Sequence, residues 1–210
     1  MYTPMNTEPI NALVWTGNEH FELVAFPLPH LADGETLVRL TTATICGSDR
    51  HTVSGRRSQP CPSVLGHEGV GIVQATNNPS LAVGQRVTFS VTAPCMGCDR
   101  CLAGRTAKCR RVMKTGHEPF DGSWPLSGTY ATHILLRANQ PVAVVPPALG
   151  DVPASIASCA GATVMAALDT ACPTMDSLKK KRVLVVGLGM LGLIAVEAAV
   201  RAGAAVTATD

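Results

Sequence analysis

Four cysteines fall within fifteen positions in CMGCDRCLAGRTAKC, residues 95 to 109, with the spacing C-x2-C-x2-C-x7-C. Thiolates at such short intervals can converge on one ion, and closed structural zinc sites take four tetrahedral ligands of this kind. A ferredoxin-type iron–sulfur motif opens with the same three cysteines, but its fourth follows after three residues and precedes a proline. Here the last gap is seven residues and Arg110 follows, which favours zinc. Cys95, Cys98, Cys101 and Cys109 are therefore expected to hold a structural metal. Arg100, Arg105, Lys108, Arg110 and Arg111 surround them. A nucleic-acid-binding ribbon would spend such cations on phosphates; the expectation is that they offset the charge of a four-thiolate cage.

A second group of donors has the wrong spacing for a closed cage and the right types for a reactive one. TICGSDRH puts Cys46, Ser48, Asp49 and His51 within six positions, and LGHEG adds His67 and Glu68 at a glycine-bracketed strand end. A catalytic zinc takes three protein ligands and keeps one position open for water or substrate. Further on, GLGMLG supplies Gly187, Gly189 and Gly192, with Asp210 lying 18 positions after the last of them. Glycines in this pattern, between a strand and a helix, allow a tight turn and close approach of a pyrophosphate to the helix N-terminus. The acidic residue then accepts the adenosine-ribose hydroxyls, which favours NAD over NADP because a 2′-phosphate would be repelled.

The elements that must position these groups change character partway along the chain. Residues 1–150 alternate short apolar runs (NALVW, ETLVRLTTAT, GVGIVQAT, GQRVTFSV, ATHILL, PVAVVP) with Gly, Pro and Asn, the pattern of a mainly β domain. Residues 151–210 are alanine-rich at helical spacing, around a charged lead-in, a buried strand and a glycine turn in KKKRVLVVGLG. Strand, glycine turn, helix and strand make the start of a doubly wound α/β domain. That unit stops after two strands, which would leave sheet faces exposed, so the chain reads as truncated.

Composition narrows the classes. Of 210 residues, 46% are hydrophobic and 15% charged, with a net charge of +2, so there is no bulk bias towards nucleic acid or membrane surfaces. The longest apolar run, Val183 to Val196, is 14 residues, short of the about 20 a membrane span needs. The opening stretch MYTPMNTEPINALVW lacks a basic region followed by an apolar one, so no signal peptide is expected and the protein reads as cytoplasmic. In that compartment clustered cysteines read as metal or catalytic sites rather than disulfides.

In order and spacing, CGSDRH, GHEGVGIV, the four-cysteine lobe and VLVVGLGMLG resemble the zinc-dependent medium-chain alcohol dehydrogenases. The resemblance runs from about residue 10 to the end, and several stretches are most similar to a subgroup associated with phosphonate catabolism. It implies a GroES-like catalytic domain followed by a Rossmann coenzyme domain, with one catalytic and one structural zinc. It also implies a third catalytic ligand at Cys159, in SCAGAT, beside Cys46 and His67. Glu68 would lie behind them and exchange onto the metal, and Asp49 would orient His67. Ser48 would take the proton of a zinc-bound alcohol and pass it through the coenzyme ribose to His51, a residue type that exchanges protons with water near neutral pH. Expected partners are a small-molecule alcohol or carbonyl compound and, at full length, further copies of the chain; neither nucleic acid nor membrane is expected. The 210-residue chain alone is expected to be nearly inactive. The contrasting reading is a zinc-binding interaction module without catalysis, against which stands the joint presence of Cys46, His67 and Cys159.

Overall fold

In strand β3, Thr36–Thr44, the alternating pattern becomes a sheet: Leu37 and Val38 are buried, and exposed residues recur at every second position from Arg39 onwards. The computed structural model describes residues 9–172 and 174–210; the first eight residues, on which the signal-peptide reading partly rests, lie outside them. Before β3 come β1, Ile10–Gly17, and β2, His20–Phe26. After it come helix α1, Gly47–Val53, then β4, Ser63–Val64, and β5, Glu68–Thr76. Next are β6, Arg86–Phe89, and β7, Thr92–Ala93, followed by the short helix α2, Asp99–Leu102. Strands β8, Met113–Lys114, β9, His133–Leu136, and β10, Val142–Val144, complete this part.

The strands form a five-stranded sheet in the order β10-β6-β5-β3-β9 and a three-stranded sheet β2-β1-β4, with β7 and β8 paired separately. All pairings here are antiparallel. One core cluster gathers Val38, Val73, Val87, Phe89, Ile134 and Leu136; another gathers Ile10, Leu37, Trp124, Leu126 and Leu135. Burying such side chains contributes about 1.5–3 kcal/mol each, and these clusters hold together the sheet that carries the site residues. Strand β2 is absent from the apolar runs read above because none of its seven residues is buried.

The chain divides into two units, at Ser155/Ile156 rather than after residue 150. The helical stretch Asp151–Ala171 contains that boundary: α3, Asp151–Ile156, a π-helical turn, Ala157–Gly161, and α4, Ala162–Ala171. By length and composition alone this stretch could cross a membrane, a feature that a search for unbroken apolar runs passes over. Its first turn is held to the β unit instead. Asp151 accepts from Arg86 (2.9 Å) and Thr41 (2.7 Å).

The second unit continues with β11, Arg182–Val186, α5, Met190–Arg201, and β12, Ala205–Thr209. β11 and β12 pair in parallel, Arg182 opposite Ala205 through Val186 opposite Thr209. Strand β11 is not the buried strand its sequence suggests: Leu184 is 66% and Val186 75% exposed. Among the described residues its side chains alternate, Val183 and Val185 half-buried and Arg182, Leu184 and Val186 exposed, as in a sheet covered on one face.

Candidate metal centres and catalytic residues

The β7–β8 pair, Thr92 opposite Lys114 and Ala93 opposite Met113, clamps the ends of the cysteine loop. Within the loop Cys98 is the N-cap of α2, Cys101 lies inside that helix, and a 3₁₀ turn, Thr106–Lys108, delivers Cys109. The four sulfur atoms lie within 4.8 Å of one another, with Cys98 3.5 Å from Cys101 and 3.9 Å from Cys109. Tetrahedral zinc with bonds of about 2.3 Å would hold its sulfurs about 3.8 Å apart, so the donor set fits one ion. The lobe cysteines form no disulfide. Backbone N–H groups prepare the thiolates. Those of Arg110 and Cys101 hold the Cys98 thiol down at about 6, and that of Gly97 leads in lowering Cys95. Burial, with the neighbouring sulfurs, pushes Cys101 up to about 12.

The surrounding cations only partly do what was expected of them. The Arg111 guanidinium reaches Cys95 Sγ at 3.5 Å, and the Arg111 backbone N–H donates to Cys109 Sγ at 3.3 Å. Arg110 instead forms a two-pronged pair with Asp99, at 2.6 and 2.8 Å, and Arg100 donates to the Lys108 carbonyl. A carboxylate is the better acceptor for the planar fork of an arginine, and Asp99 takes it.

The second donor group is assembled from sequence-distant pieces of the first unit. Cys46 follows β3 as the N-cap of α1, and His67 immediately precedes β5, whose first residue is Glu68. The β3–β5 register sets Thr44 opposite Glu68. The Thr44 hydroxyl donates to Glu68 Oε2 at 2.6 Å and lies 2.9 Å from the Ser155 hydroxyl. One donor atom each from Cys46, His67 and Glu68 lies within 4.8 Å of the others. His67, Glu68 and Asp49 are buried. Soft sulfur, imidazole and carboxylate together suit zinc.

Asp49 Oδ1 lies 3.2 Å from His67 Nδ1, within ion-pair distance, though not aligned as a hydrogen bond. Burial pulls the His67 pKa down, but Asp49 and Cys46 more than offset it, and it stands at about 9. In the metal-free chain this imidazole holds a proton that any metal must displace. The Ser48 hydroxyl lies 3.5 Å from His67 Nε2. His51 is exposed and lines a cleft of about 650 Å³ with Arg50, Asp49 and Tyr130.

His117 belongs to this neighbourhood, and no spacing rule singled it out. Its ring centroid is 5.3 Å from that of His67. Its Nδ1 donates to the Thr115 carbonyl at 2.6 Å, which assigns the tautomer because a carbonyl only accepts. Burial pushes its pKa down to about 4, so it is a neutral neighbour at physiological pH.

In the second unit Cys159 sits in the π-helical turn, and the Thr163 hydroxyl donates to its carbonyl at 2.8 Å. At the glycine turn Gly187 has φ +94°, a conformation other residues rarely adopt, and a Cβ on Gly192 would lie 1.8 Å from the Gly187 carbonyl oxygen. Gly189, the N-cap of α5, would place a Cβ in open space. Asp210 Oδ1 accepts the Leu188 N–H at 2.9 Å, so the acidic residue after β12 faces this turn.

A mixed-donor group with an adjacent serine, an all-thiol cluster and a dinucleotide-type glycine turn occur together in this chain. Residues 32–147 match the alcohol dehydrogenase GroES-like domain, and the chain belongs to the zinc-dependent medium-chain alcohol dehydrogenase family. An alcohol dehydrogenase of Moraxella sp. is 30% identical over 195 residues, covering 90% of this chain and 53% of its own length. The structure of an alcohol dehydrogenase from Thermotoga maritima superposes with a TM-score of 0.86 at 27% identity, over 96% of this chain and 57% of its own. The acetophenone reductase of Geotrichum candidum, solved with NAD, gives 0.81 at 28% identity, over 100% and 59%. The chain spans about half the length of the curated relatives it matches.

Proposed function

We propose that this chain is the N-terminal portion of a zinc- and NAD-dependent alcohol dehydrogenase, its catalytic domain and the start of its coenzyme domain, with Cys46, His67 and, by the family resemblance, Cys159 as catalytic zinc ligands and the four lobe cysteines as the structural set. The observation that carries the reading is the convergence of Cys46, His67 and Glu68 donor atoms with the Ser48 hydroxyl against the same imidazole. Bound zinc would supply Lewis acidity, lowering the pKa of a coordinated alcohol towards neutrality. Ser48 Oγ would take the proton of an alcohol held there while passing its own through the coenzyme ribose to His51, which is exposed to solvent and would release it to water. Asp49 holds the His67 ring through Nδ1, which leaves Nε2 for the metal. Glu68, restrained by Thr44, is the carboxylate able to exchange onto it.

Gly187, Gly189 and Gly192 shape the pyrophosphate turn and Asp210 takes the ribose hydroxyls, which supports NAD over NADP. The substrate is a small-molecule alcohol or carbonyl compound. A cytoplasmic setting, a homo-oligomeric complete enzyme and the absence of nucleic-acid or membrane partners belong to the same proposal, which rests there on the near-neutral charge. Hydride transfer needs reacting carbons held about 3–3.5 Å apart, positioning worth roughly 7–11 kcal/mol. A two-stranded coenzyme sheet supports little of that, so the 210-residue polypeptide alone should turn over poorly.

The test is NAD or NADP reduction with primary and secondary alcohols, by the chain extended to the length of its relatives, beside its Ser48→Ala variant. NAD-dependent turnover that falls at least 100-fold in the variant, with NAD affinity unchanged, is expected. A loss confined to NAD affinity, or equal use of NADP, would contradict the assigned roles.

A further inference from the structure

Asp49 makes more contacts than orienting one histidine requires. Its Oδ2 accepts the backbone N–H of Cys46 at 3.1 Å and the Tyr130 hydroxyl at 3.2 Å, while Oδ1 faces His67 Nδ1. One buried carboxylate therefore touches the backbone of one donor residue and the ring of another. The Tyr130 ring is wedged against the residue before His67. A Cβ on Gly66, whose φ is +88°, would lie 2.6 and 2.7 Å from two ring carbons. Backbone bonds fix the same place, Tyr130 N–H donating to the Leu65 carbonyl and Thr129 N–H to the Gly66 carbonyl, each at 3.0 Å. Packing over a glycine needs only the ring, as phenylalanine would supply. The hydroxyl has a separate destination.

We propose that Tyr130 is a positioning residue for the catalytic metal centre, acting through Asp49: its hydroxyl, with the Cys46 N–H, occupies Oδ2 and turns Oδ1 towards His67. The proposal rests on the functional reading above, in which Cys46 and His67 share a metal. A carboxylate with two donors on one oxygen has a fixed plane, so its other oxygen is held 3.2 Å from His67 Nδ1. Burial and the Asp49 charge push the Tyr130 pKa up, and the phenol remains a donor throughout the physiological range. Without it, Asp49 can rotate, and the imidazole loses the constraint that aims Nε2.

The experiment is Tyr130→Phe, which retains the wedge over Gly66 and removes only the hydroxyl. Zinc affinity at each centre is read by chelator competition, and the geometry of the Cys46/His67 centre by its visible spectrum after cobalt substitution. Outer hydrogen-bond partners of metal ligands typically govern about 10–100-fold in affinity. A roughly 10-fold weaker Cys46/His67 centre with shifted cobalt bands is expected, with lobe affinity and melting temperature unchanged. In an Asp49→Asn background the same change should add almost nothing, because the pathway through Asp49 is already broken. Wild-type affinity and bands in Tyr130→Phe would overturn the proposal alone. A wild-type chain that takes metal only in the lobe would overturn the functional reading, and the proposal with it. An effect that persists undiminished in Asp49→Asn would show that Tyr130 acts by another route.

Discussion

The cysteine lobe and the Cys46/His67 centre hold donor atoms at similar mutual distances, but they are built on opposite plans. The lobe draws all four donors from fifteen consecutive positions and prepares them with its own backbone N–H groups. The second centre draws donors from the ends of two neighbouring interior strands, β3 and β5, and relies on side chains, Asp49, Thr44 and Tyr130, to hold them. A closed, local, all-thiol site stabilises the fold and offers no open coordination position. A site assembled through long-range contacts can keep one position free and be tuned by its neighbours. The difference predicts where each centre breaks.

The largest effect should come from Cys98→Ser. Structural zinc in small peptides binds with about 10–16 kcal/mol of apparent free energy. Losing one thiolate should empty the lobe and lower the melting temperature by about 10 °C or more, at roughly 2–4 °C per kcal/mol for this chain size. Unchanged zinc content and melting in that variant would erase the distinction between the centres.

Gly192→Ala should come next. Its Cβ meets the Gly187 carbonyl, and overpacking of this kind destabilises by about 1–3 kcal/mol, here in the second unit and without metal loss. Gly189→Ala, whose Cβ meets nothing, should leave the fold unchanged. Hydrogen exchange of the β11–β12 amides separates the two; equal protection in both variants would refute the packing role of Gly192.

The lobe was legible in the sequence because its ligands, their spacing and their residue type all fall within one short window. The Gly187 turn was legible for the same reason. The second centre was legible only in its parts, since Cys46 and His67 are joined by the β3–β5 register and no local pattern encodes that pairing. Tyr130 lies 81 positions from Asp49, and His117 meets His67 through tertiary packing, so neither could be found by spacing. Strand β11 misled for another reason. Val-rich composition records what a strand prefers to bury, not which of its faces this chain covers.

Asp49→Asn should weaken zinc at the Cys46/His67 centre by about 10–100-fold and leave the lobe intact, as equilibrium dialysis at each site would show. Equal weakening of both sites would mean that Asp49 supports the fold rather than the ligand.

The smallest expected effect is on pH dependence. In metal-free protein His67 stands at about 9 against an ordinary 6.5. Its contribution to stability is fully present below pH 6.5 and lost as pH rises through about 9. Cys98, lowered to about 6 from 9.0, works in the opposite sense: its contribution is present above pH 9.0 and lost as pH falls through 6. The melting-temperature gap between metal-free wild type and metal-free His67→Gln should therefore shrink from pH 6.5 to pH 9.5. A gap that widens would contradict the Asp49–His67 pairing.

The most direct test of two centres with different duties is elemental analysis of the purified chain, followed by stepwise chelation with the fold monitored by circular dichroism. The expected result is two zinc ions per chain: one removed by mild chelator with the fold intact, the other released only as the lobe unfolds. One metal per chain, iron in place of zinc, or simultaneous release of both ions would contradict it.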